Sequence, residues 1–351
     1  MRLLKYLSIL LVIFILTEWL IKYRPQYQEY NGFIFNTYYH IKIFTHISDK
    51  DLDSKIISTL EDVNNKMSIF NPKSEISLLN RYPAFKEFKL SDDLSYILKN
   101  SEKINYQSSG YFDPTIAPLI DLWGFGRNKT NTTIPTTKQI RNTLKYSKFS
   151  NLKFSKDYST VTKSDSRIEI NLSAIAKGFA VDKLSSLLKD EGYKNYIIDI
   201  GGEVRATGKR DRTGSGWNIG LSTPDEQSKN NALILELSDL SVATSGDYRN
   251  FKEHNGQRFS HTISPLTGEA KPNQLASVTV FSPSCMLADA YATAIMAMGK
   301  DLGVEFAENN NLPVIFFIHS SNNDFGIKYS SAAQELLGVK NEANQSLWKN
   351  H

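Results

Sequence analysis

Between residues 167 and 318 the chain repeats one pattern. Short apolar runs of strand length follow one another, broken by only two long stretches at helical spacing. Strands are expected over 167–171, 195–200, 203–207, 217–221, 232–237, 241–244, 277–281 and 313–318. Helices are expected over 174–190 and 286–299, with Gly192 capping the first. Strands in runs, interrupted by few helices, point to an α+β fold. With 40% apolar and 22% charged residues, a packed core can be built.

The first half reads less densely. A strand-like run covers 33–44. Ser48-Asp49-Lys50-Asp51 resembles a capping box opening a helix that buries Ile56, Ile57, Leu60, Val63 and Met67. Residues 70–81 read as a loop. A helix from about Ser91 carries Leu94, Ile97, Leu98 and Ile104 and stops at Ser108-Ser109-Gly110. Residues 128–165 are polar and weakly patterned, an insertion or a surface subdomain. The expected division is an N-terminal signal or membrane anchor at 1–24, a linker at 25–32, one domain over 33–330 and a tail at 331–351.

The N-terminal segment sets the expected compartment. Arg2 and Lys5 precede an apolar run from Leu7 to Leu16, then Trp19-Leu20-Ile21 and the basic flank Lys22 and Arg24. This is the order of an export signal. No small-x-small cleavage site follows, so an uncleaved anchor in the cytoplasmic membrane is expected, with the bulk of the chain extracytoplasmic or periplasmic. The apolar run is short against the roughly 20 residues of a full span, and Glu18 belongs near the interface. A buried N-terminal helix is the alternative. The formal charge of +4 also originates here: outside residues 1–24, 37 basic residues face 36 acidic ones. That leaves no concentrated basic face for nucleic acid. The single cysteine, Cys285, excludes an intrachain disulfide and a Cys-rich zinc site.

Five segments can carry chemistry. In Asn171-Leu172-Ser173-Ala174-Ile175-Ala176-Lys177-Gly178 a strand gives way to a helix whose free N–H groups suit an anion, with Lys177 in its first turn. The paired glycines of Gly201-Gly202-Glu203 permit a tight turn or a close backbone approach. His261 stands just before a turn at Pro265 and Gly268, placed as a general base, a phosphate donor or a plain loop residue. Asp289 and Thr293 are i and i+4, so a carboxylate and a hydroxyl share one helix face and offer hard oxygen donors to Mg²⁺; a hydroxyl bonded back to its own helix is the ordinary reading. The aromatic stretch 110–126 can wall a flat heterocycle or simply form a buried corner.

None of these decides alone, but their joint order does. Ser74-Glu75-Ile76-Ser77-Leu78-Leu79-Asn80, Phe112-Asp113-Pro114-Thr115, Leu119-Ile120-Asp121-Leu122-Trp123-Gly124-Phe125-Gly126, Ile175-Ala176-Lys177-Gly178, Gly201-Gly202-Glu203, Thr244-Ser245-Gly246-Asp247-Tyr248 and Asp289-Ala290-Tyr291-Ala292-Thr293-Ala294 together resemble the ApbE family of FAD:protein FMN transferases. The resemblance covers roughly residues 33–330.

The resemblance implies a T-fold-like α+β architecture, mainly antiparallel sheets packed with helices. It implies an Mg²⁺-dependent transfer of FMN from FAD to a threonine or serine hydroxyl, with release of AMP. The acceptors would be flavoprotein subunits of membrane redox complexes. Ala174, through its carbonyl, Asp289 and Thr293 would hold the metal. Phe35, Phe70, Tyr111, Phe112, Asp113, Asn171, Lys177 and Ile263 would bind FAD, and His261 would activate the acceptor hydroxyl. Asn171 and Ser264 depart from the family's usual aspartates. A non-catalytic FAD-binding protein and an FAD pyrophosphatase are the alternative functions.

Overall fold

A computed structural model describes Tyr6 and residues 24–127, 134–222, 231–246, 251–254, 257–270, 274–319 and 325–339. The chain begins its regular structure with β1 (Gln26–Ile34) and β2 (Thr37–Thr45), a hairpin closed by Phe35 and Asn36. Both turn residues have positive φ, 52° and 62°, as a two-residue hairpin turn matched to strand twist requires. Thus the expected linker 25–32 is a strand, and the run 33–44 is a turn with its outgoing strand. The sequence of β1 hid this. It is an outer strand whose residues are exposed or half-buried, so no strong apolar alternation marks it.

Three strands, β3 (Glu87–Lys89), β4 (Leu152–Phe154) and β5 (Thr160–Lys163), form a small antiparallel sheet. It draws the expected insertion into the fold, since Phe149, Leu152 and Val161 enter the main core. The rest of the main sheet comes from β6 (Tyr196–Ile200), β7 (Glu203–Thr207), β10 (Leu240–Gly246), β13 (Leu275–Ser282), β14 (Val314–His319) and β15 (Phe325–Tyr329). Between them lie two hairpins, β8 (Trp217–Ser222) with β9 (Asn231–Leu237) and β11 (Phe251–His254) with β12 (Gln257–Ser260). The main sheet is eight-stranded, in the order β1-β2-β6-β7-β10-β13-β14-β15. Every neighbouring pair in it is antiparallel, which is the expected α+β arrangement.

Both faces of the sheet are covered. On one, helices Leu52–Met67, Asp92–Gln107, Ala176–Asp190 and Cys285–Met298 contribute to the core with Ile41, Ile43, Ile198 and Ile200. On the other, Trp217, Ile219, Leu221 and Leu237 of the β8–β9 hairpin pack with Val204, Ala206, Val242 and Phe317. Double coverage explains why β13 is buried along nearly its whole length: a strand buried on both sides reads as a continuous apolar run.

Several local expectations are corrected. The segment 167–171 is extended but joins no sheet, apart from a bridge between Glu169 and Ile116. Its ladder partner is a side chain. Asn80 Nδ2 donates to the Ile170 carbonyl (2.9 Å) and its Oδ1 accepts from the Ile170 N–H (2.8 Å). Asn80 lies on a short helix, Glu75–Arg81, within the stretch expected as loop; the Ser74 hydroxyl caps it by accepting from the Ser77 N–H. The helix Leu52–Met67 starts without a side-chain cap at its N-cap residue, Asp51; Asp49 instead accepts from the Asp51 N–H and the Lys55 ammonium. Ile57 of this helix is 41% exposed, and Leu52 occupies the core instead. The C-terminal tail opens with the helix Ser331–Leu337, whose Ala333 is buried. Gly192 does end the helix Ala176–Asp190, with φ 85°. The anchor expected over 1–24 lies outside the described residues except for Tyr6 and Arg24. Among the described residues no helix is long and apolar enough to cross a membrane.

Candidate active site

Two helices meet at the centre of the site, and glycine lets them meet. An added Cβ on Gly178, near the start of Ala176–Asp190, would stand 2.4 Å from the Cys285 carbonyl oxygen. One turn further along, Asp182 caps the opposing helix: its carboxylate accepts from the Ser284 hydroxyl (2.7 Å) and from the N–H groups of Cys285 (2.9 Å) and Met286 (3.0 Å). This docking delivers Asp289 to the Lys177–Gly178 turn. Asp289 Oδ2 accepts from the Gly178 N–H at 3.1 Å, and Oδ1 lies 3.8 Å from Lys177 Nζ.

A third chain segment completes the cluster. The turn at Gly201 and Gly202, with φ 66° and 103°, starts β7 with Glu203 pointing its Oε1 to 3.2 Å from Lys177 Nζ. Glu203 and Asp289 are both 3% exposed, and Lys177 is partly open, with 27% of its side chain accessible. Burial pushes Glu203 up to about 8; Lys177 opposes that rise and Asp289 adds to it. Burial also raises Asp289, against the pull of Lys177 and the Gly178 N–H. For Lys177 burial works against the charge, yet the two carboxylates outweigh it and raise its pKa. One ammonium therefore faces two buried carboxylates. Glu203 Oε2 is buried without a hydrogen-bond partner among the described residues, an uncommon state for a buried carboxylate oxygen.

Thr293 lies one helical turn beyond Asp289, with its hydroxyl 3.3 Å from that of Ser245 on β10. Thr244 bonds instead to Thr279 across the sheet (2.8 Å). These groups open on a cleft of about 1160 Å³. Ala174, Lys177, Asp289, Thr293, Tyr111, Phe112, Asp113, Asn171, His261 and Ile263 all line it. The structure thus brings together every expected metal-site and catalytic residue and six of the eight expected FAD-site residues.

The other two are elsewhere. Phe35 sits in the β1–β2 turn and packs against the main core, and Phe70 is 67% exposed on a loop; neither lines the cleft. Four of the six take part differently from a simple side-chain contact. Phe112 and Ile263 have almost fully buried side chains, 1% and 2% exposed. The Asp113 carboxylate organises its own turn: it accepts from the Thr115 N–H (2.8 Å), the Thr115 hydroxyl (2.6 Å) and the Phe149 N–H (2.9 Å). Burial outweighs these bonds and pushes Asp113 up to about 6. Asn171 Oδ1 likewise accepts from the Ser173 N–H (2.9 Å), so the uncharged residue shapes the strand-to-helix turn.

The aromatic corner holds the remaining wall. Trp123 Nε1 donates to the Gly268 carbonyl (2.8 Å), and Ile263 packs in one cluster with Leu119, Trp123 and Ile140. That docking places His261 at the cleft wall, its ring centroid 6.4 Å from that of Phe125 in an edge-on arrangement. Asp247 and Tyr248 lie outside the described residues. Glu203 is the residue to which sequence reasoning assigned no role. Only its position directly after the glycine pair marked it.

The model of the ApbE family matches residues 35–316. The FAD:protein FMN transferase of Vibrio cholerae is 35% identical over 86% of this chain and 90% of its own length. That of Haemophilus influenzae is 34% identical over 88% and 91%. Among solved structures, the flavin transferase ApbE of Vibrio cholerae superposes with a TM-score of 0.81 at 33% identity, covering 89% of this chain and 99% of that one. The apo flavinyl transferase ApbE of Pseudomonas stutzeri gives 0.82 at 28%, covering 90% and 98%. A match over most of the length, with both site helices inside it, means that this chain belongs to the ApbE family.

Proposed function

We propose that this chain is an enzyme that transfers FMN from FAD to a hydroxyl of another protein. The observation that carries the reading is the meeting of Lys177, Glu203, Asp289 and Thr293 at one end of a cleft walled by an aromatic corner and by His261. The name shared by its relatives, FAD:protein FMN transferase, is the reaction that such a cleft suits.

The cleft residues divide the work. Lys177 supplies fixed positive charge for a pyrophosphate and for the charge that develops as its bridge breaks. His261 is placed to take the proton of the incoming hydroxyl. A bond forms between that oxygen and the FMN phosphorus while the bond to the bridging oxygen breaks, and AMP leaves with that oxygen. The residues also fit a divalent cation. Asp289 and Thr293 offer hard oxygens from one helix face, Ala174 lies on the same cleft, and two buried carboxylates face a single ammonium. Mg²⁺ held by the Ala174 carbonyl, Asp289 and Thr293 would supply Lewis-acid polarisation of the phosphate oxygens when bound. The acceptor is expected to be a threonine or serine of a flavin-carrying subunit of a membrane redox complex. The apolar segment at 1–24 supports anchorage at the cytoplasmic membrane, with the catalytic domain outside the cytoplasm.

The test is to incubate the purified chain with FAD, Mg²⁺ and a candidate acceptor subunit. Covalent flavin on the acceptor, seen as fluorescence on a denaturing gel and as a mass increase, is the expected result. Asp289→Ala should abolish it. Free FMN and AMP without acceptor labelling would identify a pyrophosphatase, and unchanged FAD a carrier; either would overturn the proposal.

A further inference from the structure

Lys177 has two anionic neighbours and leans towards the one that holds no assigned role. Its Nζ is 3.2 Å from Glu203 Oε1 and 3.8 Å from Asp289 Oδ1. Glu203 is held in place by the backbone, as the first residue of β7 after the glycine turn, and is 3% exposed. Its second oxygen, Oε2, is buried and has no hydrogen-bond partner among the described residues. A buried carboxyl kept half-unsatisfied is costly, and the bonding pattern within the fold does not account for it.

We propose that Glu203 is a positioning residue that compensates and orients the Lys177 ammonium, leaving the negative charge of Asp289 available to a divalent cation. The inference rests on the reading of Asp289 as a metal ligand. Without Glu203, the ammonium would have one buried anion within reach and would close on Asp289. With both carboxylates ionised, as a bound cation would hold them, the cluster's formal charge is −1; without Glu203 it would be zero, and a cation would have to displace a salt bridge in a site of low dielectric constant. With Glu203 present, Lys177 lies nearer to Glu203, at 3.2 Å, and Asp289 keeps one oxygen on the Gly178 N–H and its other at the looser ion-pair distance of 3.8 Å from Lys177 Nζ. The glycine pair before Glu203 is then part of the metal site's construction, although neither glycine contributes a ligand.

Mn²⁺ titration followed by electron paramagnetic resonance tests this on the full-length chain with saturating FAD and no acceptor. Mg²⁺ competition and thermal unfolding are recorded for each variant. Glu203→Gln should weaken Mn²⁺ binding by about tenfold or more, given the strength of charge interactions at these separations. Lys177→Met should tighten it although transfer is lost. The double variant restores a cluster charge of −1 and should return Mn²⁺ affinity to within about threefold of wild type, the ordinary scatter between similar sites. A double variant that stays as weak as Glu203→Gln would make Glu203 a direct ligand and overturn the proposal. Unchanged affinity in a folded Glu203→Gln variant would also overturn it, leaving a structural role only. If the single variant loses its fold, Lys177→Met alone decides, since unaltered or weaker binding there contradicts the charge argument. Failure of the wild-type chain to bind Mn²⁺, or binding unaffected by Asp289→Ala, would instead remove the metal reading on which the inference stands.

Discussion

At the scale of single residues, His261 carries the sharpest expectation. The loop that bears it is docked by Ile263 and by the Trp123–Gly268 hydrogen bond, so replacing the ring should leave the cleft in place. His261→Ala should slow single-turnover transfer by about 10²–10⁴-fold, the usual contribution of a general base. FAD affinity, followed by flavin fluorescence, should stay near wild type. A parallel loss of affinity would make the residue a phosphate donor instead, and no change in either would leave it a loop histidine. Asp113 gives a test in pH. Its pKa is raised to about 6 in the fold, against an ordinary carboxylate value near 3.9 in the unfolded chain. Below about pH 4 it is protonated in both states and burial costs nothing. As pH rises from there to about 6 the unfolded chain ionises first, so stability falls, and above that the loss stays constant. Asp113→Asn removes this dependence while weakening the turn by a fixed amount at every pH. Urea unfolding at pH 4 and pH 7.5 should show the variant gaining on wild type at the higher pH, by at most about 3 kcal/mol; a gap independent of pH would refute the burial argument. Residues of this kind were legible in the sequence where chemistry and spacing coincide, as in Asp289 and Thr293. Glu203 and the bond from the Phe149 N–H to Asp113 were not, because the partners lie in remote segments: Lys177 for the one, Phe149 for the other.

At the scale of elements, the site depends on how closely two helices approach. Gly178→Ala would put a methyl group 2.4 Å from a backbone oxygen and 2.7 Å from the Met286 Cα. Backbone cannot turn aside as a flexible side chain can, so the helices must separate. Overpacking of this sort costs about 1–3 kcal/mol, and a displacement of Lys177 from Asp289 by about an ångström should lower transfer on the order of 100-fold. Calorimetry and a transfer assay check both. Gly326→Ala in β15 is the control, because its nearest atom stands 4.0 Å away and no loss is expected. Helices with clear apolar stripes, such as Asp92–Gln107 with its Ser91 cap, were readable from spacing alone. The segment 167–171 was misread for a physical reason. Its residues suit a strand, but Asn80, 90 positions from Ile170, took both backbone hydrogen bonds of that residue. Residues 134–165 failed in the opposite sense. Their apolar residues are sparse, yet Phe149, Leu152 and Val161 reach the core because the three-stranded sheet places them there.

For the molecule as a whole, the main sheet starts at Gln26, just beyond the apolar N-terminal segment. Removing residues 1–24 should therefore give a soluble chain with wild-type circular dichroism and undiminished transfer. Loss of the folded signal would show that the segment belongs to the core. The α+β character of the fold was legible because strands in runs leave few ways to pair. The order of the sheet was not, since β2 pairs with β6 across the whole helical first half of the chain. That crossing has a consequence in time. β2 cannot be fixed until β6 has been made and brought back to it, and contacts so distant in sequence slow folding because loop closure precedes their reward. Lys177, Glu203 and Asp289 come from three separate elements and meet only when these have docked. A partly folded chain in which those elements are still apart would thus lack the charge cluster, so the site is completed by tertiary docking rather than by any one local element.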